Sequence, residues 1–161
     1  KKETWEAIER GISLNPILHS FQLTVNQYNI PHELIASFFS SMEMDLSKTT
    51  YNSDGYSEYI YGSAEVVGLM CLCIFCEKDM LLYDKLKPSA QALGAAFQKV
   101  NFLRDVKADY EDLSRTYFPG VDFLNFTQHM KVRIEAEIAA DFKNDYDGIW
   151  QLQPKERFGV M

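Results

Sequence analysis

The strongest constraint on the fold is the spacing of apolar residues, which recur every three or four positions along most of the chain. One clear case is the stripe formed by Leu34, Ile35, Phe38 and Phe39. This spacing places side chains on one face of an α-helix, whereas segments with the alternating pattern of a β-strand are absent from the sequence. The sequence therefore predicts an all-α protein.

Proline and capping residues mark where several predicted helices begin. Asn15 followed by Pro16 is typical of an N-cap and a first helical position, and predicts a helix over residues 17–28. Pro88 predicts the start of another helix that reaches about Asp112. The remaining predicted helices cover residues 4–9, a segment beginning at Pro31, residues 56–76, and a segment ending near Tyr146.

Length and charge limit the class of protein. A chain of 161 residues that is 47% hydrophobic can bury one sizeable core, so residues 1–161 are expected to form a single domain. The net charge of −7 leaves no basic surface for nucleic acid. Acidic side chains can still bind an anionic diphosphate if they first bind divalent cations.

Cysteine content and hydropathy bear on the compartment. Cys71, Cys73 and Cys76 are an odd number of cysteines, which favours reduced thiols in a cytosol-like compartment. No uninterrupted apolar run reaches the roughly 18 residues that a membrane span needs. We therefore expect a cytoplasmic protein, with peripheral contact at a membrane left open.

The segment from Ser89 to Asp112 carries the most informative pattern. Five polar residues recur there in steps of three or four, which places them on one helix face: Gln98, Asn101, Asp105, Asp109 and Asp112. Asp105 and Asp109 repel each other unless a hard cation lies between them, and Mg²⁺ takes carboxylate, water and phosphate oxygens. Asn101 can add a neutral oxygen. The pattern fits a Mg²⁺ site, although a solvated acidic face accounts for the same spacing.

Two further patterns in this half of the chain give expectations. An apolar packing face is predicted on the same helix at Leu93, Phe97, Val100, Leu103 and Val106. Asp141 and Asp145 form a second D-x-x-x-D pair near a helix end, and we interpret that pair as solvated surface. Replacing Asp141 with alanine is accordingly expected to be nearly silent.

Five short motifs follow one another along the chain, at residues 15–18, 41–46, 59–68, 93–109 and 115–119. The third reads Y-x-Y-x-x-A-E-x-V-G, the fourth ends in N-x-x-R-D-x-x-x-D, and the fifth reads R-x-Y-F-P. In type and order they resemble the motifs of the squalene/phytoene synthase family, and the fourth resembles its second aspartate-rich motif. The resemblance is strong to about residue 120 and weak beyond it.

The resemblance implies the type I isoprenoid synthase fold, a helical bundle around a deep apolar cavity with Mg²⁺ and diphosphate at its mouth. It implies that Asp105 and Asp109, with Asn101, are the metal ligands, and that Tyr59 and Arg104 act beside the diphosphate. Substrate-binding roles are implied for further residues: Gln98, Asn101, Arg115, Tyr117, Ala64, Val67 and Gly68. Tight helix packing explains the three small residues at positions 64, 67 and 68 equally well.

Glu65 departs from the family pattern, because it stands where the family usually has glycine. We expect its side chain to point away from the cavity. The family's first aspartate-rich motif is expected to precede Lys1. The chain is therefore expected to be the central part of a catalytic domain, a partial bundle lacking N- and C-terminal helices, inactive alone unless another chain or copy completes it.

The family's activity implies a transferase that condenses two prenyl diphosphates head-to-head. Geranylgeranyl diphosphate, giving phytoene, is the favoured substrate. Two alternatives stay open: a squalene- or dehydrosqualene-type synthase that uses farnesyl diphosphate, and an inactive relative that serves as an assembly or interaction protein.

Overall fold

The chain is described by a computed structural model over residues 1–47, 50–113, 116–121 and 126–152, without the side chains of residues 107–113 and 144–147. Within these residues all regular elements are helical, apart from an isolated bridge between Thr50 and Thr116. The elements are α1 (Lys2–Arg10), α2 (Pro16–Tyr28), α3 (His32–Met44), α4 (Ser53–Ile60), a π-helical segment (Tyr61–Glu65), α5 (Val66–Phe75), α6 (Met80–Leu113) and α7 (Gln128–Ile149). The all-α prediction is confirmed.

The start of α2 follows from its capping residues. Asn15 Oδ1 accepts hydrogen bonds from the backbone N–H groups of Ile17, at 3.0 Å, and Leu18, at 3.4 Å. Pro16 occupies the first turn, where a backbone N–H would have no helical partner. The helix ends at Asn29, which adopts the left-handed conformation with φ 52°. Local sequence therefore fixes both ends of α2.

The predicted start of α6 at Pro88 is wrong, because α6 begins at Met80 and continues through the proline. A proline inside a helix removes one backbone hydrogen bond, here to the carbonyl of Asp84. The turns before Pro88 carry Tyr83 and Leu86, which are 8% and 2% exposed. Burial of these two side chains offsets the loss of that hydrogen bond.

The residues from Ser53 to Phe75 form one helical run in which the π-helical segment joins α4 to α5. By length and composition this 23-residue run is apolar enough to cross a membrane. The sequence did not predict this, because no uninterrupted apolar run is long enough. Val66 and Leu69 within it are fully buried and pack with Leu34 of α3. This packing accounts for much of its apolar character, as in the core helix of a globular bundle.

The predicted packing face of α6 is confirmed at Leu103, which packs against the core, but is wrong at Phe97 and Val100. Phe97 and Val100 are 52% and 38% exposed, whereas Ala95, Ala96 and Phe102 are buried. Small residues face the neighbouring helices because the backbones approach closely there. The core contacts of this part of α6 are made by Ala95, Phe102 and Leu103, whereas Phe97 and Val100 face away from the core.

Candidate active site

An apolar pocket of about 460 Å³ lies where α5 and the π-helical segment, α6, and the end of α7 meet. Leu93 and Phe97 of α6 line it, and Gly148, Ile149 and Leu152 close one side. The two α6 residues expected to pack in the core therefore line an open cavity instead. The shape and lining suit an apolar ligand.

The pocket brings together four of the residues selected from the sequence. Ala64, Val67 and Gly68 line one wall, and Gln98 contributes from α6. Gly68 also permits a close helix contact, because a Cβ at this position would lie 2.6 Å from the carbonyl oxygen of Ala90. Both explanations of this small residue, pocket lining and tight packing, therefore apply to its position.

The predicted polar stripe runs along α6 from the pocket to the surface. Gln98 lines the pocket, Asn101 one turn later is exposed, and the Asp105 side chain is 45% exposed. Asp109 lies on the same helix, with its side chain outside the described part of the chain. Because the stripe is continuous with the pocket wall, a ligand with an apolar tail and a polar head could contact both.

Arg104 and Asp105 form a bidentate ion pair at the exposed part of this stripe. Arg104 Nε donates to Asp105 Oδ1 at 2.7 Å, and Nη2 donates to Oδ2 at 2.6 Å. The hydrogen bonds from Arg104 hold the pKa of Asp105 below its usual value. Asp105 is therefore an ionised carboxylate at neutral pH, and an exposed pair of this kind is held weakly.

Tyr59 and Tyr117 lie in a buried aromatic cluster and do not line the pocket. The Tyr59 hydroxyl donates to Asp45 Oδ2 at 2.9 Å, and the rings of Tyr59 and Tyr117 are 5.4 Å apart. Burial, together with the hydrogen bond to Asp45, raises the pKa of Tyr59, so its hydroxyl stays protonated. Arg115 lies outside the described residues. The roles assigned to these three residues stay predictions.

The interpretation of Asp141 as solvated surface is wrong. Its carboxylate accepts from Lys99 Nζ at 2.8 Å, and Glu137 Oε1 lies 2.5 Å from the same nitrogen. Lys99 is 8% exposed and faces α7, and the sequence pattern alone did not predict this pairing. The sequence did carry a signal for a buried partner, because Glu137 and Asp141 are one helical turn apart and can bind one cation together. The Asp145 side chain is outside the described part of the chain.

Glu65 lines a polar groove together with Lys99, Glu137 and Asp141. It does not line the apolar pocket. It accepts a hydrogen bond from Gln91 Nε2 at 2.9 Å. Burial raises the pKa of Glu65 above its usual value, and the hydrogen bond from Gln91 opposes that effect. The expectation that Glu65 points away from the cavity agrees with this position, although the side chain is half-buried and not freely solvated.

The donor set of the polar stripe fits a hard divalent cation. Asp105 is an accessible ionised carboxylate, and Asn101 offers an accessible amide oxygen one turn away, which are oxygen ligands of the kind that Mg²⁺ accepts. Among the side chains that the structure describes, no group of three His, Cys, Asp or Glu residues is placed to hold a metal. A complete site in the stripe would also need Asp109 or oxygen atoms of a ligand.

Comparisons with known proteins identify the family of the chain. The family model "Squalene/phytoene synthase" matches residues 2–138. The chain is 30% identical to phytoene synthase from Arthrospira platensis over 79% of its length and 45% of that protein. It is 26% identical to 4,4'-diapophytoene synthase from Staphylococcus haemolyticus, over 84% of its length and 46% of that protein. The chain thus spans less than half the length of these relatives.

Among solved structures, the chain is similar to squalene synthase HpnC from Alicyclobacillus acidocaldarius. The TM-score is 0.83 at 21% identity, over 99% of this chain and 64% of that one. This similarity shows that the helices have the all-α isoprenoid synthase fold and match part of it. The family match over residues 2–138, which is most of the sequence, gives the classification: the chain belongs to the squalene/phytoene synthase family.

Proposed function

We propose that the protein containing this chain is a transferase that condenses two prenyl diphosphates head-to-head, with geranylgeranyl diphosphate as the favoured substrate. The observation that carries the proposal is the continuity of the apolar pocket with the polar stripe, joined at Gln98. An isoprenoid tail suits the pocket, and a diphosphate suits the stripe. Farnesyl diphosphate is the second candidate, because one relative is named 4,4'-diapophytoene synthase.

The stripe residues would act on the diphosphate end. Asp105 and Asp109, with Asn101, would hold Mg²⁺, which when bound neutralises charge on the leaving diphosphate. Arg104 can release Asp105 at little cost, since both side chains are exposed, and its guanidinium then suits diphosphate oxygens. Arg115 is proposed to contribute in the same way.

The pocket residues would act on the hydrocarbon. Loss of diphosphate leaves an allylic cation, which the double bond of the second substrate attacks, and loss of a proton gives a cyclopropyl intermediate that still carries one diphosphate. Water would capture such a cation. Walls built by Ala64, Val67, Leu93 and Phe97 exclude water from the tail, and no covalent nucleophile from the protein is required.

Incubating the full-length protein with Mg²⁺ and either geranylgeranyl or farnesyl diphosphate, and identifying the hydrocarbon, tests the proposal. A C40 product supports the favoured substrate, and a C30 product supports the second. Absence of any condensed product from both, the cyclopropyl diphosphate included, would identify an inactive relative.

Asp105→Ala is the sharpest variant for the stripe. It should lower turnover about 10²- to 10³-fold while leaving helicity unchanged by circular dichroism. Asp84→Ala, at an exposed position of the same helix, is the matched control and should keep wild-type turnover. Near-normal turnover of Asp105→Ala with Mg²⁺ would remove Asp105 from the site.

A further inference from the structure

Lys99 is a buried cation in the middle of α6, next to Gln98 of the pocket wall. Its ammonium bridges two carboxylates of α7, with Glu137 Oε1 at 2.5 Å and Asp141 Oδ2 at 2.8 Å. Burial alone would lower the pKa of Lys99, but the hydrogen bonds with Asp141 and Glu137 outweigh burial and raise it. Lys99 is therefore charged wherever the protein is folded at neutral pH.

The two carboxylates depend on this lysine to lie side by side. Glu137 and Asp141 are one turn apart on α7, where like charges repel. The Asp141 side chain is 23% exposed, so water shields it only in part. Removing the ammonium would leave two carboxylates repelling each other against α6, whereas removing one carboxylate would leave Lys99 with the other. The contact thus joins α7 to α6 at one defined position.

Two further contacts show that α7 runs antiparallel to α6 from this point. Phe97 packs edge-on against Phe142, with ring centroids 5.8 Å apart and planes at 89°. Farther along, Gly148 lies so close to Ser89 that a Cβ at Gly148 would be 2.3 Å from the Ser89 Cβ. As residue numbers fall on α6 they rise on α7, which brings the end of α7 to the pocket.

We propose that Lys99 is a positioning residue, which sets the register of α7 on α6 and thereby places the pocket wall formed by Gly148, Ile149 and Leu152. The effect on turnover rests on the proposed function, since it requires the pocket to hold the prenyl tail. The effect on α7 does not. Among the side chains that the structure describes, Lys99 pairs with Glu137 and Asp141 and is not part of the pocket lining, so it acts through the helix that it holds.

Lys99→Met in the full-length protein tests the proposal, because methionine keeps most of the side-chain length and removes the charge. The KM for the prenyl diphosphate should rise about tenfold while kcat changes less than about threefold, because the displaced wall contacts the tail and not the diphosphate. Hydrogen exchange of backbone amides should become faster over residues 128–149 and stay unchanged over residues 16–28. Lys99→Arg, which keeps the charge, should have the wild-type KM and wild-type hydrogen exchange.

Lys131→Met is the matched control, since Lys131 forms an exposed pair with Glu135 on the same helix. It should leave KM and hydrogen exchange at wild-type values. If Lys99→Met does not fold, the double variant Glu137→Ala/Asp141→Ala removes the same contacts from α7 and should give the same KM increase.

Wild-type KM and wild-type exchange in α7 for the folded Lys99 variant, or for the double variant in its place, would overturn the proposal. So would a fall in kcat at unchanged KM, because that result assigns Lys99 to the diphosphate end. If the wild-type protein makes no condensed product, the proposed function fails, and the exchange measurement alone then decides whether Lys99 positions α7.

Discussion

Phe102 and Tyr117 stack face to face, with ring centroids 4.0 Å apart and planes 5° apart. The contact ties the segment after α6 back to the middle of that helix, less than one turn before Asp105. Both rings are buried, and Tyr59 packs against each of them. The position of the polar stripe therefore depends on an aromatic cluster whose rings, at Tyr59, Phe102 and Tyr117, are not among the residues that line the apolar pocket.

Phe102→Ala is expected to lower the free energy of unfolding by about 3–4 kcal/mol, because it removes a buried ring and leaves a cavity between Tyr59 and Tyr117. Phe97→Ala is the matched control on the same helix. Phe97 is 52% exposed, so its loss should cost less than about 1 kcal/mol. Urea unfolding of the full-length protein measures both, and equal losses would contradict the assignment of Phe102 to the core.

Asp141→Ala should destabilise the protein by about 2 kcal/mol, because it removes a hydrogen-bonded partner of the buried Lys99. Glu135→Ala, which removes an exposed partner of Lys131 on the same helix, should cost less than about 0.5 kcal/mol. Urea unfolding of the two variants compares the loss of a partner of a buried lysine with the loss of a partner of an exposed one. If the Asp141 variant were as stable as the Glu135 variant, the interpretation of Asp141 as solvated surface would be correct after all.

The helices and their capping residues could be predicted from the sequence, because Asn15 and Pro16 act within a single turn. The small residues of the pocket could also be found, since Ala64, Val67 and Gly68 belong to a recognisable motif. These signals are local. They need no knowledge of which helices are neighbours in the fold.

The orientation of α6 could not be predicted in the same way. Phe97 and Phe102 are equally apolar, yet one lines an open pocket and the other fills the core. Hydrophobic periodicity gives the apolar positions of a helix but does not separate a cavity from a packed interface. The role of Asp141 was missed for a related reason, because its partner Lys99 is 42 residues away.

Gly94→Ala should destabilise the protein by about 2 kcal/mol or more, since a Cβ there would lie 2.7 Å from the carbonyl oxygen of Ala64 and 3.0 Å from the Glu65 Cα. Both are backbone atoms, so the π-helical segment and α6 would have to move apart. Lys87→Ala, at an exposed position of α6, should be close to neutral. A stabilising Gly94→Ala, as expected at an unconstrained helical glycine, would show that this close approach is absent.

Glu65→Gln is expected to stabilise the protein at neutral pH by about 1 kcal/mol, because it removes a half-buried charge while its amide oxygen can still accept from Gln91. Burial raises the pKa of Glu65 in the folded state, so the folded protein holds the proton more tightly than the unfolded chain does. The favourable contribution of protonated Glu65 is complete below the unfolded pKa of about 4.5 and is lost as the pH rises through the folded pKa. Glutamine does not titrate, and its advantage should therefore be largest near neutral pH and shrink as the pH falls toward about 5.

Urea unfolding of wild type and Glu65→Gln at several pH values between about 5 and 8 measures this difference. Glu33→Gln, at an exposed position of α3, provides the comparison and should differ little from wild type in stability. If the advantage of Glu65→Gln grew as the pH fell, the sign of the linkage would be reversed. Gln91 and Lys99 would then have to stabilise the Glu65 carboxylate more strongly than burial disfavours it. The pH dependence thus measures whether burial, or the Gln91 hydrogen bond together with the Lys99 ammonium, controls the charge of Glu65.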